Sequence, residues 1–354
     1  MIPYIVLIVL VICSFLICKP VYSGKSQLVI DKSKKRALRL AFLWIILLTG
    51  LRGRYVGPDT RSYISNFARV CSGDSLVIDQ RFEVGYQYLT KFISHFTHDP
   101  QILLLVIAAI INVLYARFIF KYSRDMLLSI FLYITIGHFV FQLTGLRQAL
   151  AMAICTLAID FALERKPIWF AASIALACSF HGSAVAFIPV YFLTGNHGKR
   201  TEALAVVIPV ILLLFGNRLL NLAYSFGDYD RYSEGGGVKD SGGWTIIIIL
   251  SLTIILTLMS RSFHGNNGIT REDRFFLFLT AMALGFYLLR YQNRVAERVS
   301  NYYRLSMIIL LPNALDDVPG FELRSFGKFC CCVLAFFLFL HKIGGSMYLY
   351  DFLI

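Results

Sequence analysis

The sequence predicts an all-α, polytopic integral membrane protein of about twelve transmembrane helices, with residues 1–354 forming one membrane domain. Three observations carry that expectation. The chain is 57% hydrophobic and only 16% charged, with mean hydropathy +0.67, too apolar for a soluble domain of ordinary composition. Its apolar runs reach the roughly 20 residues that one crossing needs. Thirty Phe and nineteen Tyr suit helices that pack in lipid and carry aromatic belts at its edges.

Residues 2–18 are uncharged, follow no basic stretch and end in no small-residue cleavage site, so they read as a retained span. Lys19, Lys25, Lys32, Lys34, Lys35, Arg36 and Arg39 then crowd the first loop against Asp31 alone. By the positive-inside rule that loop is cytoplasmic and the N-terminus lies outside. Further spans begin near residues 38, 101, 126, 148, 168, 182, 202, 244, 275, 300 and 326. The pair 168–181 and 182–194 is short for two crossings, and a single helix broken at His181 and Gly182 is the alternative.

With that count the long loops at 52–100 and 216–243 face outward, as do the segments at 145–148, 181–183 and 290–299. Arg outnumbers Lys by 12 to 3 on the assigned outer side, against 10 to 9 inside. Guanidinium grips phosphate oxygens in a bidentate fork, so this excess suits recognition of an anionic group there. The net charge of +13 lies in short loops between apolar spans, which favours membrane lipid and lipid-linked phosphate over nucleic acid as partners. Seven of the eight cysteines fall in or beside apolar runs and Cys71 has no partner in its polar loop. Neither a disulfide framework nor a Cys-based metal site is expected, and no cofactor motif is present.

The loop at 52–100 opens with Gly57 and Pro58, which force a turn before Asp59 and Thr60, a pair suited to cap a helix starting near Arg61. Further on, Phe82, Tyr86, Leu89, Phe92, Ile93 and Phe96 recur at helical spacing with Glu83, Gln87, Thr90 and Lys91 between them. This predicts an amphipathic helix on the outer membrane surface. The glycine-rich loop at 216–243 suits a lid, in which Tyr229 and Tyr232 would stack on sugar rings; an ordinary flexible loop is the alternative.

Arg147 is the one charge between the apolar runs Met126 to Thr144 and Ala149 to Leu163. There it marks a site unless it snorkels to the headgroups. Arg290, Arg294 and Arg298 follow at i, i+4 and i+8, on one face of any helix continuing from Phe275, with Glu297 beside them. Such a row calls for a counter-charge: Glu297 or a bound pyrophosphate. A solvated helix end is the plainer reading. His181 ends an apolar segment and is suited to act as a general base or to bond phosphate, or simply to close a span.

Three segments, Arg54 to Tyr63, Gly145 to Ala151 and Phe180 to Ala184, together resemble the EpsG-like, Wzy-type polysaccharide polymerases over roughly residues 40–200. The resemblance implies a GT-C-like glycosyltransferase of O-antigen, capsule or exopolysaccharide synthesis in the bacterial inner membrane. Its family positions fall on Arg54, Asp59, Thr60, Tyr63, Arg147, Gln148 and His181, whereas Arg290, Arg294 and Arg298 rest on spacing alone. The implied partners are a polyprenyl-pyrophosphate-linked oligosaccharide and a chain-length co-polymerase. The roles expected are pyrophosphate binding for Arg54, Arg147, Arg290, Arg294 and Arg298, and catalysis by His181 or Asp59 with Arg147. Thr60, Tyr63, Gln148, Glu297, Tyr229 and Tyr232 are expected to bind substrate, without metal. A flippase of the same lipid-linked oligosaccharide, and a ligase or acyltransferase on the same carrier, are the competing readings.

Overall fold

The computed structural model describes residues 1–18, 27–73, 82–194, 199–224, 243–263, 269–344 and 350. Its regular elements are helices, with no β-strand among the described residues. In chain order these are α1 (Ile2–Ile17), α2 (Gln27–Gly50), α3 (Thr60–Cys71), α4 (Val84–Ser94), α5 (Pro100–Tyr122), α6 (Met126–Thr135), α7 (His138–Thr144), α8 (Leu146–Leu163) and α9 (Pro167–Phe180). A 3-10 helix, Gly182–Thr194, follows, then α10 (Lys199–Tyr224), α11 (Trp244–Phe263), α12 (Arg271–Leu289), α13 (Arg294–Tyr303), α14 (Met307–Asp316) and α15 (Phe321–Ile343).

The central element is α8, buried along nearly its whole length among α5, α7, α9 and the 3-10 helix. Ala149, Ala151, Ala153, Ala158 and Ala162 explain why: small side chains let neighbouring helices approach from several sides. Asp99 caps α5 by accepting from the Gln101 amide at 2.8 Å, and Asp125 caps α6 through the Leu128 amide at 3.0 Å. Between α6 and α7 the chain bends by 41° at Gly137, whose φ of +119° suits glycine. A closed triangle of Asn112, Tyr133 and Gln142, with bonds of 2.8 to 3.1 Å, fastens the bent pair to α5.

The break at His181 is resolved as a hairpin. Phe170 near the start of α9 and Tyr191 near the end of the 3-10 helix bring their rings within 5.1 Å, so the two arms run back along each other with an extended His181 at the apex. The arms rise about 21 and 26 Å, short of the roughly 30 Å hydrocarbon layer.

Three helices among the described residues are long and apolar enough to cross a membrane, α5, α8 and α15, and α6 with α7 makes a fourth if the bent pair is one span. The expected twelve full crossings are therefore not all present as long straight helices. Ile2–Ile17, Pro167–Phe180, Gly182–Thr194, Ala203–Arg218 and Trp244–Met259 are apolar but shorter. The span expected from residue 300 is divided among α13, a short 3-10 turn and α14, with Pro312 inside the last. The segment 216–243 begins as helix, since α10 runs on to Tyr224, and residues 225–242, with Tyr229, Tyr232 and the expected lid, lie outside the described residues.

The two ends of α8 are chemically unlike. At its C-terminal end Asp160 accepts from Lys121 Nζ at 2.8 Å and Tyr122 Oη at 2.5 Å and pairs with Arg117. Nearby, Arg124 bridges Asp273 and Asp317, Asn313 bonds the Asp273 carboxylate at 3.0 Å, and Lys328 joins Asp125 to Asp316. This end is a closed ionic network tying α5, α6, α8, α12, α14 and α15 together. The N-terminal end of α8, about 27 Å away, opens on a cavity.

Candidate functional site

The cavity has a volume of about 380 Å³, and its wall is drawn from loops and helix ends. Asp59, Ser62 and Tyr63 come from the start of α3, and Phe82 from the turn before α4. Thr144, Gly145, Arg147 and Gln148 come from the α7–α8 junction, His181 from the hairpin apex and Arg298 from α13.

Two glycines set this convergence. Gly57 has φ +83°, and a Cβ there would overlap the Leu143 carbonyl oxygen, so only glycine lets the loop before α3 lie against the end of α7. Gly85 in the first turn of α4 faces Ser179, where a Cβ would stand 2.7 Å from the carbonyl oxygen. That close approach brings Glu83 to the hairpin apex.

Glu83 is the hub. Its Oε1 lies 2.7 Å from His181 Nδ1, and its Oε2 forms an ion pair with Arg147 Nη1. The Arg147 guanidinium also lies over the Phe82 ring, 4.9 Å from its centre. Each charged contact contributes about 1.5–3 kcal/mol when well formed. Burial opposes ionisation of Glu83, but the hydrogen bond from His181 and the charges of His181 and Arg147 outweigh it and hold the carboxyl below its usual range. Because a carboxylate accepts at Nδ1, the imidazole carries its proton there, and Nε2 is the ring nitrogen left to accept a substrate proton.

Asp59 stands at the N-cap of α3, yet its side chain makes no cap bond, so capping does not account for the residue. Burial raises its pKa, and the charges of Arg147 and Arg298 only partly counter this. Gln148 donates to the Arg298 carbonyl at 2.8 Å and so joins α8 to α13 at the cavity wall. Tyr63 packs its buried ring against Tyr86, 5.6 Å between centres.

Other expected residues fall elsewhere. Thr60 is fully buried, donating to the Val56 carbonyl at 2.7 Å and accepting from Arg52 at 3.2 Å, which gives it a structural position. Arg54 is exposed and outside the cavity lining. The row of arginines does not continue one helix: α12 ends at Leu289, and Asn293 starts a new helix by capping the Val295 amide at 3.0 Å. Only Arg298 of the three reaches the cavity. Arg294 is exposed, and Arg290 is buried elsewhere, its guanidinium 4.6 Å from the Tyr287 ring centre and 3.6 Å from Glu297. The expected amphipathic helix is present as α4, with Tyr86, Thr90 and Ile93 turned inward and Tyr88, Phe92 and Phe96 exposed. Glu83, read from the sequence as a polar spacer of that helix, is the site residue that periodicity missed.

The EpsG family model matches residues 35–352. The chain belongs to the EpsG family. Neither a curated protein nor a solved structure matches it. EpsG membership extends past the expected residue 200 to α13 and α15, so the Arg298 wall of the cavity lies inside the family region. It gives the chain a polysaccharide polymerase-type role, glycosyltransferase-like in kind, in a membrane protein.

Proposed function

We propose that this EpsG-family protein joins lipid-linked oligosaccharide repeat units at the outer face of the bacterial inner membrane. It transfers the growing glycan from polyprenyl pyrophosphate to the terminal sugar of a new repeat. The observation that carries the reading is that His181, held by Glu83, lines one cavity together with Arg147 and Arg298.

A terminal sugar hydroxyl gives its proton to His181 Nε2 while its oxygen attacks the anomeric carbon of the donor. Glu83 holds the ring and stabilises the imidazolium that forms. The bond from the anomeric carbon to the diphosphate oxygen breaks, and the leaving diphosphate takes its charge toward Arg147 and Arg298. Guanidiniums thus perform the neutralisation, with Arg147 exchanging its Glu83 contact for the diphosphate. Asp59, whose pKa is raised by burial, is the second group able to move a proton there. The closed ionic network at the opposite end of α8 suits a cytoplasmic face, which agrees with the basic first loop.

The test is purified protein in detergent with lipid-linked single repeats. A ladder of carrier-linked chains with release of free polyprenyl diphosphate is expected. A flippase forms no glycosidic bond, and a ligase or acyltransferase moves the group to another acceptor, so either product pattern would overturn the assignment.

A further inference from the structure

The buried cations that this reaction leaves unused gather around Arg304. Arg304 is 7% exposed; it donates to Asn301 Oδ1 and to the Ile136 carbonyl, both at 2.9 Å, and its Nε has no partner among the described residues. Lys342 turns its ammonium inward from an exposed stem. Its Nζ and Arg304 Nη2 lie 3.2 and 3.4 Å from the point a Cβ on Gly137 would occupy. Lys342 makes no ion pair among the described residues. Arg290 shares the Tyr287 ring with Arg304, their guanidinium carbons 4.6 and 5.6 Å from its centre, and Glu297 stands against Arg290. Glu297 pairs with Arg290 and its charge also reaches Arg304 and Lys342, so one carboxylate faces three cations, and buried like charges in excess of their counter-ions are costly.

α15, which carries Lys342, also walls a hydrocarbon-lined groove of about 200 Å³ together with neighbouring helices. Leu132 of α6, Leu252 and Leu256 of α11, Leu311 of α14, and Cys331 and Leu334 of α15 form its wall. Leu252 and Leu334 are exposed on the lateral surface, so the groove opens sideways. About 16 Å of α15 separates Cys331 from Lys342, and about 10 Å separates Leu311 from Arg304. A cationic head position and an apolar tail position therefore lie along one strip of helices.

We propose that this strip is a second lipid site, holding phosphate oxygens at Arg304 and Lys342 and a hydrocarbon tail in the groove beside Leu334. Three cations facing one carboxylate leave an excess of two positive charges, which matches a diphosphate better than the single charge of a phosphodiester. The occupant is therefore a polyprenyl diphosphate, which under the proposed function is the carrier of the second substrate; that last attribution alone rests on the polymerase reading.

The test uses the full chain in detergent, a photoreactive farnesyl diphosphate, and phosphatidylglycerol as competitor, with crosslinks mapped by peptide mass spectrometry. Labelling of α11, α14 or α15 is expected, lowered about tenfold by Arg304→Gln or by Lys342→Gln through loss of a charge-assisted contact, and unchanged by Arg147→Gln. Lys342→Gln, at an exposed stem, keeps the test valid if Arg304→Gln does not fold. Labelling confined to other helices, or indifferent to both substitutions, overturns the site. Displacement by an equal concentration of phosphatidylglycerol overturns the diphosphate assignment in favour of bulk anionic lipid. Labelling is read without turnover, so its outcome is independent of whether the protein makes polymer.

Discussion

Glu83 Oε1 meets His181 Nδ1 at 2.7 Å, across 98 residues of sequence, while its second oxygen pairs with Arg147. One carboxylate thus orients both the base and the cation of the proposed reaction. Glu83→Gln keeps the shape and removes the charge, and polymerisation by purified protein is expected to fall about 10²-fold, the lower end of what positioned acid–base groups contribute. Arg147→Lys keeps a charge without the fork and should cost about tenfold, roughly one charge-assisted hydrogen bond. Wild-type chain lengths and rates from Glu83→Gln would remove the hub from the mechanism.

The two carboxyls at the cavity have pKa values shifted in opposite directions, and their effects on stability are opposed. Glu83 is held below its usual value, so its contacts stabilise the fold above the unfolded carboxyl pKa of about 4.3, a contribution lost as pH falls through the lower folded value. Asp59 is raised, so its ionisation is a penalty in the fold, absent when protonated in both states and full once pH exceeds the raised value. Thermal unfolding in detergent should show Asp59→Asn above wild type at neutral pH and Glu83→Gln below it. The Asp59 difference should shrink as pH falls toward about 4, and the Glu83 difference only below about pH 4.3. The opposite order at neutral pH would contradict the shifts.

Gly85→Ala places a methyl against Ser179. Separation of α4 from the end of α9 would draw Glu83 off His181, and catalysis, sensitive to misplacements of about 1 Å, should fall about 10²-fold. The accompanying loss of stability should be about 1–3 kcal/mol, as for other overpacked positions. A variant with wild-type rate would mean that α4 adjusts without disturbing the pair.

Asp160→Asn tests the opposite end of α8. It removes the carboxylate shared by Arg117, Lys121 and Tyr122. With its partners partly exposed, the cost should be about 1–3 kcal/mol. Turnover per folded molecule should hold, because distant sites act independently. Loss of turnover with unchanged melting temperature would show that the network reaches the cavity.

The alanine-rich run after Arg147, the turn at Gly57 and Pro58 and the break at His181 are local features, and each was legible in residue order because it follows from backbone conformation or side-chain size. The gathering of Asp59, Tyr63, Arg147, Gln148 and His181 on one wall agrees with the three motif segments. Glu83 was hidden because helical periodicity reports which side of a helix is polar, not what a polar residue meets. Arg290 was misplaced for a related reason: spacing of four assumes a continuous helix, and the Asn293 cap ended it.

Residue order by itself determined that this is an apolar, all-helical membrane chain and which segments could carry charge to a bilayer edge, because burial of hydrocarbon and the cost of unpaired charge act residue by residue. Only the tertiary structure decided which charges meet: Glu83 with His181 and Arg147, Arg304 with Lys342, Arg124 with Asp273. Those pairings depend on distances between helices remote in sequence, and the close approaches at Gly57 and Gly85 that set them become visible only when both backbones are in place.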